Sequence, residues 1–142
     1  MTFSRRDLAC LLPALAAAAR AQSGANDAKL PSHAFAFDDL PVKANGANKS
    51  RAIMNGLTHS GFPIEVHETD LAAGQAPHAP HHHVHEEMVI MIEGAIEFTV
   101  NGKTTRLGPG SVAYAASNEE HGQRNVGDTT ARYVVVALGR DS

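Results

Sequence analysis

The sequence has few of the residues on which disulfide-rich and nucleic-acid-binding proteins depend. Its single cysteine, Cys10, excludes a disulfide within the chain. Tryptophan is absent and aromatic residues make up only 5% of the chain, which disfavours a surface on which bases or sugars stack. The 12 lysines and arginines form no basic patch, and the net charge is −3. Nucleic acid is therefore not expected as a partner.

A sustained helical period is also absent beyond the first 21 residues. Short apolar stretches, several of them alternating with polar residues, are separated by many of the 12 glycines and 7 prolines. Short strands that recur about every eight to twelve residues are typical of an all-β sandwich or barrel. A chain of 142 residues is expected to form one domain.

The strongest hairpin signal is Asn101-Gly102, between expected strands at 95–100 and 103–107. The other expected strands are 33–37, 51–54, 62–71, 88–92, 111–115 and 132–138, and residues 41–50 are expected to form a loop. Residues 88–92 are apolar on both faces, so they are expected to lie deep in the fold. The residues expected in the core are Val89, Met91, Ile96, Phe98, Val112 and Tyr114.

Residues 1–21 have the features of an export signal. Arg5 and Arg6 precede an apolar run over residues 8–19, and small residues at 19 and 21 could flank a cleavage site. The arginine pair resembles the twin-arginine (Tat) signals of bacteria, which implies a periplasmic or secreted protein without a membrane anchor after cleavage. The apolar run is shorter than the roughly 20 residues that span a bilayer. The alternative is a helix buried at the start of the domain.

This interpretation divides the chain into three parts. Residues 1–21 form the signal, residues 22–32 are expected to be a disordered lead-in, and residues 33–142 form the single domain, with its core motifs within 62–138.

The most informative stretch is rich in histidine. Five of the nine histidines lie between positions 78 and 85. His81, His83, His85 and Glu87 occupy alternate positions, so in an extended strand they would point to one face. Imidazole and carboxylate groups together suit a divalent Mn, Fe, Co, Ni, Cu or Zn ion. The alternative is a polar strand that is exposed to solvent.

The same stretch resembles the first motif of the cupin family, G-x5-H-x-H-x3-E-x6-G. His81, His83, Glu87 and Gly94 fall at the motif positions, whereas the leading glycine is displaced by one residue to Gly74. This motif is specific, because it fixes three ligand-type residues and a glycine in one register.

A second resemblance lies about 30 residues further on. The family's motif is G-x5-P-x-G-x2-H-x3-N, and His121 and Asn125 supply its H-x3-N part. Ala116 and Asn118 stand where the motif has proline and glycine. The whole resemblance covers residues 62–138.

Membership of the cupin family would imply a double-stranded β-helix, the jelly-roll barrel. It would also imply a divalent transition metal held by His81, His83, Glu87 and His121, with His85 demoted to a neighbour of the site. The resemblance does not identify the metal. Small cupins commonly pair, so a homodimer is expected.

Further residues are assigned to the neighbourhood of this metal. His85 or Glu86 could carry protons, and Met91, Tyr114 and Gln123 could line a substrate pocket. Arg51 and Arg124 are either anchors for an anionic substrate or ordinary surface charges.

The resemblance leaves two kinds of function open. One is a metal-dependent enzyme of the dioxygenase, isomerase or lyase type, acting on a small oxygen-rich organic molecule. The other is a non-catalytic module that binds or senses a small ligand or the metal itself. The fold does not choose between them.

Overall fold

The computed structural model of the protein describes residues 28–140. Within this range the chain forms nine strands and one short 3-10 helix, Phe37–Asp39. The strands are β1 (Val42–Asn45), β2 (Asn48–Leu57), β3 (Pro63–Leu71), β4 (Glu86–Glu93), β5 (Ile96–Val100), β6 (Lys103–Leu107), β7 (Val112–Ala115), β8 (His121–Asn125) and β9 (Ala131–Leu138).

Two antiparallel sheets make up the fold. The larger has the strand order β1-β2-β3-β9-β4-β7, and the smaller has the order β6-β5-β8. The last strand, β9, pairs with β3 on one side and with β4 on the other. This non-sequential order within a nearly all-β chain confirms the expected jelly-roll fold.

The core consists of apolar side chains that cluster on the inner faces of both sheets. Its buried members are Leu71, Val89, Met91, Ile96, Phe98, Leu107, Ala115, Ala131, Tyr133 and Val135. The core prediction is therefore confirmed for Val89, Met91, Ile96 and Phe98. Full burial of a large apolar side chain contributes about 1.5–3 kcal/mol, so this cluster is a main source of stability.

The core prediction is wrong for Val112 and Tyr114, which are 55% and 50% exposed. Successive side chains of a strand point to opposite faces, and β7 turns Ala115 inward. Tyr114 pairs with Met88 of β4, on the face away from the core. Ile92 is also 49% exposed. The outer face of β4 is therefore apolar without being deeply buried, contrary to the expectation for residues 88–92.

Two further predictions near the start of the domain are wrong. Residues 33–37 do not form a strand, because Phe37 begins the 3-10 helix and residues 33–36 pair with no strand. Residues 41–50 are not simply a loop, since a turn at Gly46, with φ of +60°, joins β1 to β2. The predicted strand 51–54 is confirmed as the middle of β2.

The Asn101-Gly102 hairpin is confirmed. The φ angles of these residues are 47° and 78°, and β5 pairs with β6 on either side of the turn. Two successive residues with positive φ make the tight turn whose twist matches that of the flanking strands.

The beginning of the described chain is held against β2. Leu30 donates its backbone N–H to the carbonyl of Leu57 at 2.8 Å, and Leu57 donates to Ala28 at 2.9 Å. Residues 28–30 of the expected lead-in therefore pair with β2. Residues 22–27 of the lead-in and the expected signal, 1–21, lie outside the described residues. No helix between residues 28 and 140 is long and apolar enough to cross a membrane.

A buried group of charges lies on the outer face of the larger sheet. Glu68 and Asp70 are 2% and 7% exposed, and Nη1 of Arg51 lies 2.7 Å from a carboxylate oxygen of each. Arg132 contacts the same two carboxylates through Nε. The ring of Phe37 covers both guanidinium groups, at 4.5 and 4.8 Å. Arg51 is thus a member of a structural ion-pair network rather than a substrate anchor.

Asn125, the last residue of the second motif, fastens the turn after β8. It is fully buried, and its Nδ2 donates to the carbonyls of Leu71 and Thr129 at 2.8 Å. Its Oδ1 accepts the backbone N–H of Gly127 at 2.9 Å. The side chain therefore ties β3 to the segment that leads into β9.

Candidate metal centre

The chain brings the ligand-type residues together from two strand beginnings and one isolated bridge. Glu87 is the second residue of β4, and His121 is the first residue of β8. His81 forms an antiparallel bridge with His121, through backbone hydrogen bonds of 3.0 and 2.8 Å. Residues 82–85 belong to no strand, so the simple alternation that would put His81, His83, His85 and Glu87 on one face of an extended strand does not hold here.

Three histidines and a glutamate converge at this point. His81, His83 and His121 each offer a ligand atom within 4.8 Å of the other two. The two carboxylate oxygens of Glu87 lie 3.5 Å from Nε2 of His83 and 3.8 Å from Nε2 of His121. The four residues that the motif spacing selects therefore surround one small volume.

Backbone hydrogen bonds fix which ring nitrogen faces that volume. Nδ1 of His83 donates to the carbonyl of His85 at 2.7 Å, and Nδ1 of His121 donates to the carbonyl of Glu119 at 2.8 Å. In a neutral ring the other nitrogen, Nε2, then carries a free lone pair. Such a hydrogen bond is the usual way in which a protein orients a metal-binding histidine.

The donor set fits a metal ion. Nδ1 of His81 and Nε2 of both His83 and His121 are buried without a hydrogen-bond partner. A buried polar atom without a partner costs about 1–3 kcal/mol, and a divalent ion would satisfy all three. Three imidazoles and one carboxylate leave up to two positions of an octahedral ion for a substrate.

The local electrostatics keep His81 in the form that binds metal. Burial lowers its pKa, and the neighbouring rings of His78, His121 and His83 lower it further. Only a neutral imidazole can give its lone pair to an ion. His81 therefore needs little deprotonation at neutral pH before it can act as a ligand.

His85 lies beside this centre but does not point into it. Its ring stacks on that of His83, with 3.5 Å between ring centroids and 11° between planes. A histidine lone pair lies in the plane of the ring, and two parallel planes this far apart share no ion. Although His83, His85 and Glu87 also have ligand atoms within 4.8 Å of one another, the stacking makes His85 a neighbour of His83 rather than a co-ligand.

Glu86 lies on the opposite face of β4 from Glu87. Burial and a hydrogen bond to Glu86 raise the pKa of Tyr114, so these two side chains interact on the outer face. The structure therefore places Glu86 and Tyr114 away from the metal ligands.

A cavity of about 190 Å³ opens beside Glu87. Gln123 lines it, whereas Met91 lies in the core and Tyr114 lines a separate groove. Of the three residues expected in a pocket, only Gln123 borders this cavity. His67, Thr69 and Tyr133 also line it.

Gln123 and Tyr133 are two of the polar residues that line the cavity. Nε2 of Gln123 donates to the hydroxyl of Tyr133 at 3.4 Å, and Oε1 of Gln123 is buried without a partner. Burial raises the pKa of Tyr133 to about 12, so its hydroxyl stays protonated. The pair can therefore accept hydrogen bonds from a bound molecule and donate hydrogen bonds to it.

The part of the second motif in which this sequence departs from the family pattern still forms a turn beside the site. Asn118, at the family's glycine position, has a φ of +62°, a conformation that asparagine tolerates better than most residues. Its backbone N–H donates to the carbonyl of His83 at 2.8 Å. The substitution thus preserves both the turn and its attachment to a metal ligand.

Comparisons with known proteins agree with this architecture. The cupin domain family matches residues 67–137. L-ectoine synthase of Bordetella parapertussis is 40% identical over 67 residues, which cover 46% of this chain and 50% of that protein. The match therefore spans only half the length of this curated relative.

Two solved structures share the fold at low sequence identity. KdgF from Halomonas sp. is 18% identical with a TM-score of 0.66, over 75% of this chain and 94% of that one. The polyketide cyclase RemF from Streptomyces resistomycificus is 18% identical with a TM-score of 0.62, over 78% and 82%. Because the family match extends over residues 67–137 and includes both strand starts that hold the site, the chain belongs to the cupin domain family.

Proposed function

We propose that the protein is a metal-dependent enzyme that acts on a small, oxygen-rich organic molecule. The observation that carries this proposal is that Glu87, whose carboxylate lies 3.5 and 3.8 Å from Nε2 of His83 and His121, also lines a cavity with polar walls. The proposed metal ligands are His81, His83, Glu87 and His121.

The cavity limits the substrate to a small molecule. A space of about 190 Å³ does not admit a polymer chain. When bound, the ion would polarise a substrate oxygen or acidify a bound water. Gln123 and Tyr133 would hold the far end of the substrate, which favours a molecule with oxygen atoms at both ends.

The partial match to L-ectoine synthase supports an enzyme rather than a purely structural module, because that relative is by name a synthase. It covers only half of that protein, so neither its substrate nor its reaction is transferred to this chain. Among the reaction types that the cupin resemblance implies, the isomerase and lyase types need no redox-active ion.

Metal removal is the direct test of this function. Chelator-treated protein is expected to lose turnover of small hydroxy and oxo acids by about 100-fold or more, and added Mn, Fe, Co, Ni, Cu or Zn should restore it. Turnover is measured by NMR of the reaction mixture before and after chelation. Full turnover by metal-free protein would contradict the mechanism but not the fold.

A non-catalytic metal binder is the second candidate. The exposed His78 and His82 lie at the rim of the centre, and the ring of His78 is 4.2 Å from that of His81. Extra histidines around a site would suit capture of an ion. This candidate is favoured if the protein binds more than one equivalent of metal and turns over no small oxygen compound.

Export and pairing complete the proposal. Cleavage of the signal is expected to leave Gln22 as the first residue of the periplasmic or secreted protein, and N-terminal sequencing showing an intact start in that fraction would contradict it.

A homodimer is also proposed, since Ile92, Val112 and Tyr114 leave apolar surface exposed on the outer face of the larger sheet. Light scattering that finds a monomer at micromolar concentration would contradict the dimer.

A further inference from the structure

A carboxylate–histidine pair lies at the cavity, with His67 in the cavity wall. Nδ1 of His67 lies 3.1 and 3.0 Å from the two carboxylate oxygens of Glu65. Both residues belong to β3 and lie two positions apart, so they share one face. No motif includes either residue, so neither was expected to have a role.

The strand register places this pair opposite Glu87. Glu65 pairs with Ala137 of β9, and Ala137 pairs with Glu87 of β4. The two glutamates thus lie on the same face with one strand between them, about 9–10 Å apart across the sheet. His67 lies two residues further along β3, in register with Val135 and Val89, so it is diagonally across the same face from Glu87.

The orientation of the ring leaves its other nitrogen for a ligand. A carboxylate can only accept from Nδ1, so Nε2 is the atom that can exchange a proton. His67 lines the cavity beside Gln123, Tyr133 and Glu87, whereas Glu65 does not. Because Nδ1 is held by Glu65, the ring can reach a molecule in the cavity only through its opposite edge, which carries Nε2.

A purely structural purpose explains this pair poorly. The side chains of His67 and Glu65 are 32% and 34% exposed, and ion pairs exposed to this degree contribute about 0–1 kcal/mol to stability. The two residues are also neighbours on one strand, so the contact ties no separate elements together.

We propose that His67, oriented by Glu65, is the proton-transfer group of this cavity. The inference rests on the proposed function. Nε2 of His67 takes a proton from an O–H or C–H group of a small hydroxy or oxo compound, whose bonding electron pair stays on the substrate. The same proton is later returned to another atom of the substrate or to its leaving oxygen, so no oxidant is needed.

The charged groups around His67 suit a residue that transfers protons. Burial lowers its pKa, but the hydrogen bond and the charge of Glu65 raise it, with further contributions from Glu87 and Glu68, and the net shift is upward. Lys49 and His78 also border the cavity, and Gln123 and Tyr133 are among its neutral polar lining residues. Histidine is the side chain that most often acts as a general acid and base in proteins.

The first test uses ring nitrogen signals rather than activity. Zinc-loaded protein with 15N-labelled histidine is titrated with acetohydroxamate, a small chelator with two oxygen ligands. The His67 signals, assigned by their loss in His67→Gln, are expected to show protonated Nδ1 and to shift as the probe is added, while those of His59 stay constant. Unchanged His67 signals throughout the titration would overturn the proposal.

The second test uses any substrate found for the protein. His67→Gln is expected to lower kcat by about 10²–10⁴-fold with unchanged metal content, and His59→Gln is the matched control. Glu65→Gln should move the acid limb of the pH–rate profile to lower pH, because the carboxylate raises the pKa of His67. If His67→Gln keeps full kcat while chelation abolishes turnover, the dyad is refuted and the proposed function stands.

Discussion

Protein that carries both His83→Ala and His121→Ala is expected to bind its metal more than about 100-fold more weakly than the unaltered protein. Residues that only orient a metal ligand already cost 10–100-fold when removed, and these two substitutions delete ligands. Glu87 lies 3.5 and 3.8 Å from their Nε2 atoms, so it would also lose its partners. Metal content is measured by mass spectrometry on untagged protein, and affinity by competition with a chelator.

His85→Ala is the matched control for this experiment. His83 donates to the backbone carbonyl of His85, which alanine retains, and the stacked ring of His85 does not point at the ion. The variant is therefore expected to keep its metal to within a few-fold. Equal loss of metal in His85→Ala and in the double variant would show that the ligand set is wrong.

Arg51→Met is expected to lower the free energy of unfolding by about 3–5 kcal/mol, the usual effect of removing one partner from a buried ion pair. It leaves the carboxylates of Glu68 and Asp70, which are 2% and 7% exposed, with only Arg132. Urea denaturation measures the change. Arg106→Met, at an exposed position of β6, is expected to change stability by less than about 0.5 kcal/mol.

The pH dependence gives this prediction a second readout. Burial raises the pKa of Asp70, but hydrogen bonds from Arg51 and Arg132 outweigh it, and the net shift is downward. A lowered pKa contributes stability above the ordinary value of the group, and that stability is lost as pH falls through the lowered value. The difference between Arg51→Met and the unaltered protein should therefore shrink in acid. If Arg51→Met lowers the free energy of unfolding by less than about 1 kcal/mol at neutral pH, the ion-pair network does not stabilise the fold as proposed.

Local sequence patterns predicted those parts of the fold that depend on residues adjacent in the sequence. Asn101-Gly102 specified its hairpin because few dipeptides adopt two positive φ angles. The stretch 33–37 alternates like a strand, yet Phe37 instead packs on Arg51 and Arg132. Those arginines come from β2 and β9, and no local pattern reveals such a contact.

The metal centre was also predicted only in part. Motif spacing brought His81, His83, Glu87 and His121 into one set, and the structure places them together. Simple alternation failed between His83 and Glu87, because the chain leaves the extended conformation there.

The cavity walls were harder to predict than the ligands. His67 and Tyr133 lie on inward positions of strands that the sequence did indicate. Their place beside Glu87 depends on β9 pairing between β3 and β4, and residues so distant in the sequence give no local sign of that pairing.

X-ray diffraction of crystals of the natively purified protein, collected at the absorption edge of the metal it carries, tests the central claim most directly. We predict one anomalous peak about 2.0–2.2 Å from Nε2 of both His83 and His121, in contact with His81 and Glu87 and facing the cavity. A peak held by other residues, or no peak in protein that retains its metal, would contradict the proposed centre.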